Sequence, residues 1–283
     1  MKHKIALLSD IHGNITALEA VIADATKENV TEYWCLGDVL MPGPGAADLL
    51  ALLKAVPVTA FVKGNWDDCL LDILDNEAID LDNPSHIYIA RLAQYVCQNM
   101  TDNDIAFIRA LPLHLTKTIN SLTFGISHHL PDKNWGGDLW KNQDQKSFDR
   151  LFIDDQHDIA ICGHTHHQMM LYSSDDRIII NPGAIERGHA TWRKLRDSRA
   201  QYAMIEIDEQ GAFDVQFRKV VYDSKKELER AVEKDIPYLN LYKEFLETGK
   251  KHTHNKELLD RINREHSYKE EVVAFFSDQY WNV

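Results

Sequence analysis

Ser9-Asp10-Ile11-His12-Gly13-Asn14 follows the apolar run Ile5-Ala6-Leu7-Leu8 and precedes Ile15, Leu18, Val21, Ile22 and Ala25 at helical spacing. A short apolar run closed by a turn signal reads as a buried strand. The spacing after it reads as an amphipathic helix, with Asn14 placed to cap it. Asp10 and His12 therefore fall where a strand hands over to a helix, the edge at which open α/β sheets bind ligands. A carboxylate and an imidazole two residues apart on such a loop can share one metal ion. A capped turn with a surface histidine has the same pattern, so the weight comes from its recurrence.

It recurs twice at once. Tyr33-Trp34-Cys35-Leu36 reads as a second strand ending at Gly37-Asp38, and a leucine-rich helix over residues 43–56 stops at Pro57. Residues 58–62 read as a third strand, ending at Gly64-Asn65-Trp66-Asp67. Asp10 and Asp38 are 28 residues apart, and Asp38 and Asn65 are 27 apart, about the length of one βαβ unit. Three strands in succession thus deliver a ligand-type residue to one edge.

Further on, residues 87–100 form an amphipathic helix, and Thr101 with Asp104 opens another as a capping box. Residues 113–118 and 122–127 read as a hairpin ending at His128-His129-Leu130-Pro131, then a polar and aromatic loop over 132–140 and a short helix near 143–152. A buried strand over 159–162 ends at Gly163-His164-Thr165-His166-His167. Residues 168–172 and 178–180 pair and close at Asn181-Pro182-Gly183, and 202–207 with 213–221 make a last alternating pair. After Asp223 the composition shifts to Lys, Glu and aromatics at helical spacing, with no further strand. The expected organisation is a body over 1–222 and a helical appendage over 223–283.

Composition narrows the class. A chain of 283 residues with 44% hydrophobic and 27% charged residues is ordinary for a globular protein. A formal charge of -13 argues against a general DNA-binding surface, but not against an anionic substrate if divalent metals reverse the local field. Only four apolar residues precede Ser9-Asp10, too few for a signal peptide, and residues 49–62 are broken by Lys54 and Pro57, so no membrane span is expected. Cys35, Cys69, Cys97 and Cys162 show no C-x-x-C spacing and read as reduced thiols of a cytoplasmic protein.

In order, the strand-end residues are Asp10, His12, Asp38, Asn65, His128, His164 and His166. Oxygen and imidazole ligands without thiolate suit Mn, Fe or Zn. Seven exceed one tetrahedral site but suit two adjacent metals, and Asp38 on its Gly-Asp turn is the natural bridge. Gly37, Gly64 and Gly163 are read as tight turns that aim the following side chains inward.

The series D-x-H, G-D, G-N-x-D, H and G-H-x-H resembles the calcineurin-like metallophosphoesterases over about residues 5–185, with Asn181-Pro182-Gly183 similar to a loop of the small bacterial members. The resemblance implies two mixed β-sheets packed as a sandwich and flanked by helices. It implies one metal on Asp10, His12, Asp38 and His166 and a second on Asp38, Asn65, His128 and His164, as Mn or Fe, with Zn, Ni and Co open. Gly64-Asn65-Trp66-Asp67 with Ser127-His128-His129-Leu130-Pro131 looks nearest to a streptococcal-type branch described as phosphodiesterases and asymmetric dinucleoside tetraphosphate hydrolases. Asp38 and Asn65 then act beside the reacting phosphoryl group. The chemistry implied is metal-assisted hydrolysis without a protein nucleophile, two metals roughly 3.5–4 Å apart activating water for in-line attack. The implied partner is a small phosphate ester or nucleotide, with no stable nucleic-acid binding and a homodimer left open.

The chain departs from the pattern at Trp66, where many relatives carry a histidine that assists the leaving group. An indole offers only its N–H, so leaving groups that are already weak bases are favoured. His129 is the nearby candidate for a replacement acid. Trp66 reads either as packing or as a platform for a base or aryl ring. Arg187, Arg193, Lys194, Arg196 and Arg199 read either as a solvated helix face or as partners of distal phosphates. Asp67 or Asp68 reads as support for the ligands or as a solvated cap, and His252-Thr253-His254 as a solvated linker. Tyr238, Tyr242, Phe245, Phe275 and Phe276 read as packing, a cap on the site's edge, or a dimer contact. Competing functions are a phosphomonoesterase, including a protein phosphatase, and a non-catalytic scaffold of the same fold.

Overall fold

In the computed structural model the chain is described over residues 2–77, 79–152, 156–187 and 197–281. Strand β1 (His3–Leu8) runs through the middle of the first sheet. It pairs in parallel with β2 (Glu32–Cys35), which pairs in parallel with β3 (Val58–Phe61). On its other side lies antiparallel β9 (Ala200–Ile207), followed by β10 (Phe213–Val220). The second sheet has the order β4 (His114–Ile119), β5 (Leu122–Ser127), β6 (Ile159–Ile161), β8 (Ile178–Pro182), β7 (Gln168–Tyr172). Both sheets are mixed, as expected, and each has five strands.

The central strands carry continuous apolar runs, such as Ile5–Leu8 of β1 and Ile159–Ile161 of β6, because both their faces are covered. Ile5, Leu7, Trp34 and Leu36 meet Phe124, Ile126, Ile161 and Ile180 between the sheets. Trp34 is fully buried, edge-on to Phe124 at 5.2 Å between ring centroids. The alternate residues Ala6, Leu8, Tyr33 and Cys35 pack outward under the helices. Helix α1 (Ile15–Lys27) is capped as expected, the Asn14 side chain accepting from Ala17 N–H.

Helix α2 (Ala47–Lys54) starts later than the leucine spacing indicates. The preceding residues are engaged elsewhere: Gly43 N–H donates to His12 O and Gly45 N–H to Gly13 O. Helix α3 (Asn65–Leu74), not anticipated from sequence, starts immediately after Gly64. Its first turn coincides with the turn signal that ends β3, so the two patterns overlap. Helices α4 (Pro84–Gln98), α5 (Asp102–Ala110) and α6 (Gln145–Asp149) follow, and the Thr101–Asp104 capping box forms.

The C-terminal region is helical: α7 (Ser224–Glu233), α8 (Leu239–Thr248), α9 (Lys256–Glu265) and α10 (Tyr268–Gln279). Helix α7 packs on α1, and α9 and α10 pack on α4. Tyr238, Tyr242, Phe245 and Phe276 are buried in the same apolar cluster as α1 and α4. Buried Glu227 ties the region to the first loop, accepting from Thr16 N–H at 2.9 Å and from the Tyr242 hydroxyl at 3.0 Å. The four cysteines are free, with Cys35, Cys97 and Cys162 buried. Among the described residues no helix is long and apolar enough to cross a membrane.

Candidate metal centre

The loops after β1, β2, β5 and β6 meet at one edge because backbone hydrogen bonds lace them together. Ile11 and His12 N–H both donate to Asp38 O at 2.9 Å, Gly163 N–H donates to His128 O at 2.8 Å, and Glu186 N–H to Asp10 O at 3.0 Å. Asp10, His12, Asp38, His164 and His166 all have left-handed backbones, with φ of 53°, 48°, 52°, 66° and 57°. For residues with a Cβ this conformation costs roughly 1–2 kcal/mol each, and such strain gathers at functional sites. Gly37 also takes φ of 90°, but Gly64 and Gly163 do not. They are needed for close approach instead: a Cβ on Gly64 would collide with the Asp38 carboxylate, and one on Gly163 with the Ser9 hydroxyl.

Each carboxylate has one oxygen held by protein donors and one aimed inward. Asp10 Oδ2 accepts from Ser9 Oγ at 2.6 Å and His164 N–H at 3.1 Å. Asp38 Oδ1 accepts from Trp66 N–H at 2.8 Å. The imidazoles follow the same rule. Nδ1 of His12 bonds Met41 O at 2.7 Å, and Nδ1 of His128 bonds Leu36 O at 2.6 Å. Nδ1 of His166 bonds Glu186 Oε1 at 2.9 Å, and Nε2 of His164 bonds Gly136 O at 3.0 Å. A ring nitrogen facing a carbonyl or carboxylate carries the proton, so the other nitrogen presents a lone pair.

Those free lone pairs converge. Asp38 Oδ2 lies 3.5 Å from His12 Nε2 and 3.4 Å from His128 Nε2. Asp10 Oδ1 lies 3.2 Å from His166 Nε2 and 4.0 Å from His12 Nε2. The Asn65 Oδ1 carbonyl faces His164 Nδ1 at 2.9 Å, and Nε2 of His12 faces Nε2 of His166 at 3.4 Å. Carboxylate oxygens and imidazole nitrogens held this close are stabilised by positive charge among them, supplied by protons on the rings or by a metal ion. Asp10 Oδ1 and His128 Nε2 are buried and make no hydrogen bond. Two groups result, Asp10 with His12 and His166, and Asp38 with His128 and His164, the donor atoms within each lying inside 4.8 Å. Ligands about 2.0–2.2 Å from a common ion stand about 3–4 Å apart, a spacing these groups reach with small side-chain shifts, so the donor set fits two neighbouring metal ions.

Electrostatics agree. Burial alone would lower the His128 pKa, but the Asp38 carboxylate carries it up to about 9. Burial and Lys251 oppose, and Asp10 prevails, in raising His166 to about 9. Burial and then the His128 charge lower His164 to about 4. The field of the carboxylates calls for positive charge at this position.

Three further residues support the candidate ligands, and of these only Glu186 carried no sequence signal. Glu186, 2% exposed, orients His166 in the carboxylate–histidine manner of metal sites, yet it stands in no recognisable motif. Asp67, wholly buried, accepts from the N–H groups of Asp38 (2.9 Å), Val39 (3.2 Å) and Gly64 (2.9 Å). This resolves the alternatives for Asp67: it is a buried brace for the turn bearing Asp38. Asn181 Nδ2 donates to Gly163 O at 2.5 Å and Thr165 Oγ1 at 3.2 Å, which fixes the G-H-x-H loop. Glu186→Gln keeps the size but loses the charge. Metal affinity, read by competition with a chelator, is expected to fall roughly 10–100-fold; unchanged affinity would remove Glu186 from the centre.

The remaining candidates separate. The Trp66 ring stands edge-on to His12 at 5.6 Å and lines a cleft with Pro42, Tyr88, Phe245, Lys251 and His252. His129 is fully buried, neither ring nitrogen bonded, edge-on to His164 at 4.9 Å. Burial and then His164 drive its pKa down to about 3, so a neutral ring sealed from solvent is not placed to protonate a leaving group. Arg187 donates to Leu246 O at the end of α8, which ties it to the C-terminal region. Arg193, Lys194 and Arg196 lie outside the described residues, and Arg199 pairs with Asp197 at 2.9 Å. His252 is not solvated: it is 5% exposed, bonded to Glu244 at 2.8 Å, and lines the cleft. The sequence pattern gave no sign of this because only the tertiary path of α8 brings it to the site.

The chain belongs to the calcineurin-like phosphoesterase superfamily, whose domain model matches residues 3–210. It is accordingly a metal-dependent phosphoesterase with candidate metal-ligand groups at the strand edge. It is 26% identical over 253 residues to an uncharacterized protein of Methanocaldococcus jannaschii, covering 84% of this chain and 95% of that one. Its fold is similar to that of a metallophosphoesterase from Sphaerobacter thermophilus (TM-score 0.61, 21% identity, 87% of this chain, 100% of the other). It is also similar to a hypothetical protein from Pyrococcus horikoshii (TM-score 0.64, 17% identity, 83% and 94%).

Proposed function

We propose that this protein hydrolyses phosphodiester or phosphoanhydride bonds at a pair of metal ions held by Asp10, His12, Asp38, Asn65, His128, His164 and His166. The observation that supports this reading is the convergence of buried carboxylate oxygens and imidazole nitrogens, Asp38 Oδ2 at 3.5 and 3.4 Å from His12 and His128 Nε2 and Asp10 Oδ1 at 3.2 Å from His166 Nε2. When bound, such metals supply Lewis-acid stabilisation of phosphoryl oxygens and a water acidic enough to attack near neutral pH. Soft-ligand selection is absent from the donor set, which suits Mn or Fe.

The chain's own residues set which leaving groups depart. Trp66 stands beside His12 with its ring edge, and the indole is no proton donor to an alkoxide. His129 is sealed away. Substrates whose leaving group is a weak base, such as an aryl oxide or a phosphate, are therefore favoured. With Mn added, bis(p-nitrophenyl) phosphate, p-nitrophenyl phosphate and diadenosine tetraphosphate are expected to turn over faster than an alkyl monoester such as glycerol phosphate; a strong preference for the alkyl monoester would overturn the proposal. Trp66→His is expected to raise turnover of the alkyl monoester by about 10²-fold, the lower range of general acid catalysis, and to leave p-nitrophenyl phosphate, whose leaving group needs no acid, nearly unchanged.

A further inference from the structure

A chain of formal charge -13 places two lysines at its metal-ligand edge. Lys250 and Lys251 follow the C-cap of α8 at Gly249, whose φ of 77° ends the helix, and both line the cleft with His12, Trp66 and Phe245. The Lys251 ammonium pairs with Glu186 Oε1 at 2.6 Å. That same oxygen takes His166 Nδ1 at 2.9 Å, so Lys251 stands two hydrogen-bond lengths from a proposed ligand ring.

We propose that Lys251, with Lys250 beside it, is the subsite for a second anionic group carried by the leaving group. The preferred substrates are then phosphoanhydrides, or esters bearing a further phosphate, rather than diesters with uncharged leaving groups. This rests on the hydrolase reading above. An ammonium has three donors, and the Glu186 pair needs one of them. The Lys251 side chain remains 49% exposed while its carboxylate partner is 3% exposed, so the remaining donors face the open side. The segment is also held in place. Buried His252 bonds Glu244 at 2.8 Å, Lys250 bonds the same carboxylate at 3.1 Å, and Arg187 grips Leu246 O at the end of α8. Fixing a cation before binding lowers the ordering cost of recognition. Trp66 and Phe245 line the same cleft, which suits an anion attached to an apolar or aromatic body.

Hydrolysis at this site forms one P–O bond from water and breaks the P–O bond to the leaving group. The leaving phosphate departs with the electron pair as an anion next to Lys251, and the proton of the water goes to solvent.

The test uses the full chain loaded with Mn, with Lys251→Met and Lys251→Arg. Calorimetric binding of inorganic pyrophosphate is expected to weaken about tenfold or more in Lys251→Met, the worth of one charge-assisted hydrogen bond. Binding of inorganic monophosphate should stay within about twofold, and Lys251→Arg should restore pyrophosphate affinity. In turnover, Lys251→Met should raise KM for diadenosine tetraphosphate by a clearly larger factor than KM for bis(p-nitrophenyl) phosphate, the latter reporting any shared loss through Glu186. Equal losses for both phosphates, or for neither, would overturn the subsite: equal losses mean that Lys251 serves only to hold Glu186. Lys250→Met, further from Glu186, gives the same comparison if Lys251→Met does not fold. If no ester or anhydride is hydrolysed with any metal, the hydrolase reading fails, while the pyrophosphate comparison still decides the subsite.

Discussion

Asp38→Ala is expected to lower turnover by about 10³-fold or more and to reduce bound metal from two ions per chain toward one. Asp38 Oδ2 stands 3.5 Å from His12 Nε2 and 3.4 Å from His128 Nε2, between the two candidate groups. Asp10 Oδ1 also lies between these rings, at 4.0 and 3.9 Å, but it sits nearer His166, at 3.2 Å. In the proposed centre Asp38 is therefore the shared ligand, and its removal takes charge from both sites at once. Metal stabilisation of phosphoryl transfer is worth several kcal/mol, and each ~1.4 kcal/mol is tenfold in rate. Asp38→Asn isolates the charge, because shape and the Trp66 N–H bond can persist. Metal analysis and steady-state rates check both variants. Two tightly held ions and turnover within tenfold of wild type in Asp38→Ala would refute the centre as drawn.

The largest loss of stability is expected from Asp67→Ala, about 3 kcal/mol or more in urea unfolding. Three backbone N–H groups end on this carboxylate, and each buried donor left unpaired costs about 1–3 kcal/mol. The sum need not be additive, since water can enter the gap. Two of the three donors belong to Asp38 and Val39, so loosening them moves the Asp38 turn as well. Metal affinity should fall together with stability. Asp67→Asn keeps one acceptor oxygen and should lie between the two. A change under 1 kcal/mol in Asp67→Ala would show that the turn holds itself.

The order of strands one to three was legible because each is a short apolar run closed by a Gly, Asp or Asn turn. A strand covered on both faces must be apolar throughout, and that leaves an unmistakable run. The candidate ligand set was legible for a related reason. A polar residue directly after a buried strand is confined to the sheet edge, so sequence spacing alone brings Asp10, Asp38 and Asn65 to one place. Helix α3 was not, since its first turn is also the turn after β3 and one pattern masks the other.

Glu186, Lys251 and His252 carried no signal in their own neighbourhoods. Glu186 reaches His166 because Ile185 and Glu186 N–H bond back to Ser9 and Asp10, a contact across 176 positions for each pair. Lys251 reaches Glu186 because α7 is tied to α1 through Glu227 and α8 packs beside it. His129 shows the converse. Adjacent to a candidate ligand in sequence, it is fully buried against His164, its ring edge-on at 4.9 Å, and neither ring nitrogen finds a hydrogen-bond partner.

The sequence by itself determined the fold of the body, the superfamily pattern and the residues gathered at the strand edge, since alternation and turn chemistry are local properties of the chain. Tertiary structure alone decided which carboxylates brace the ligands and which cations face the cleft. Those roles depend on desolvation and on hydrogen bonds between segments far apart in sequence, and neither is written in any single stretch.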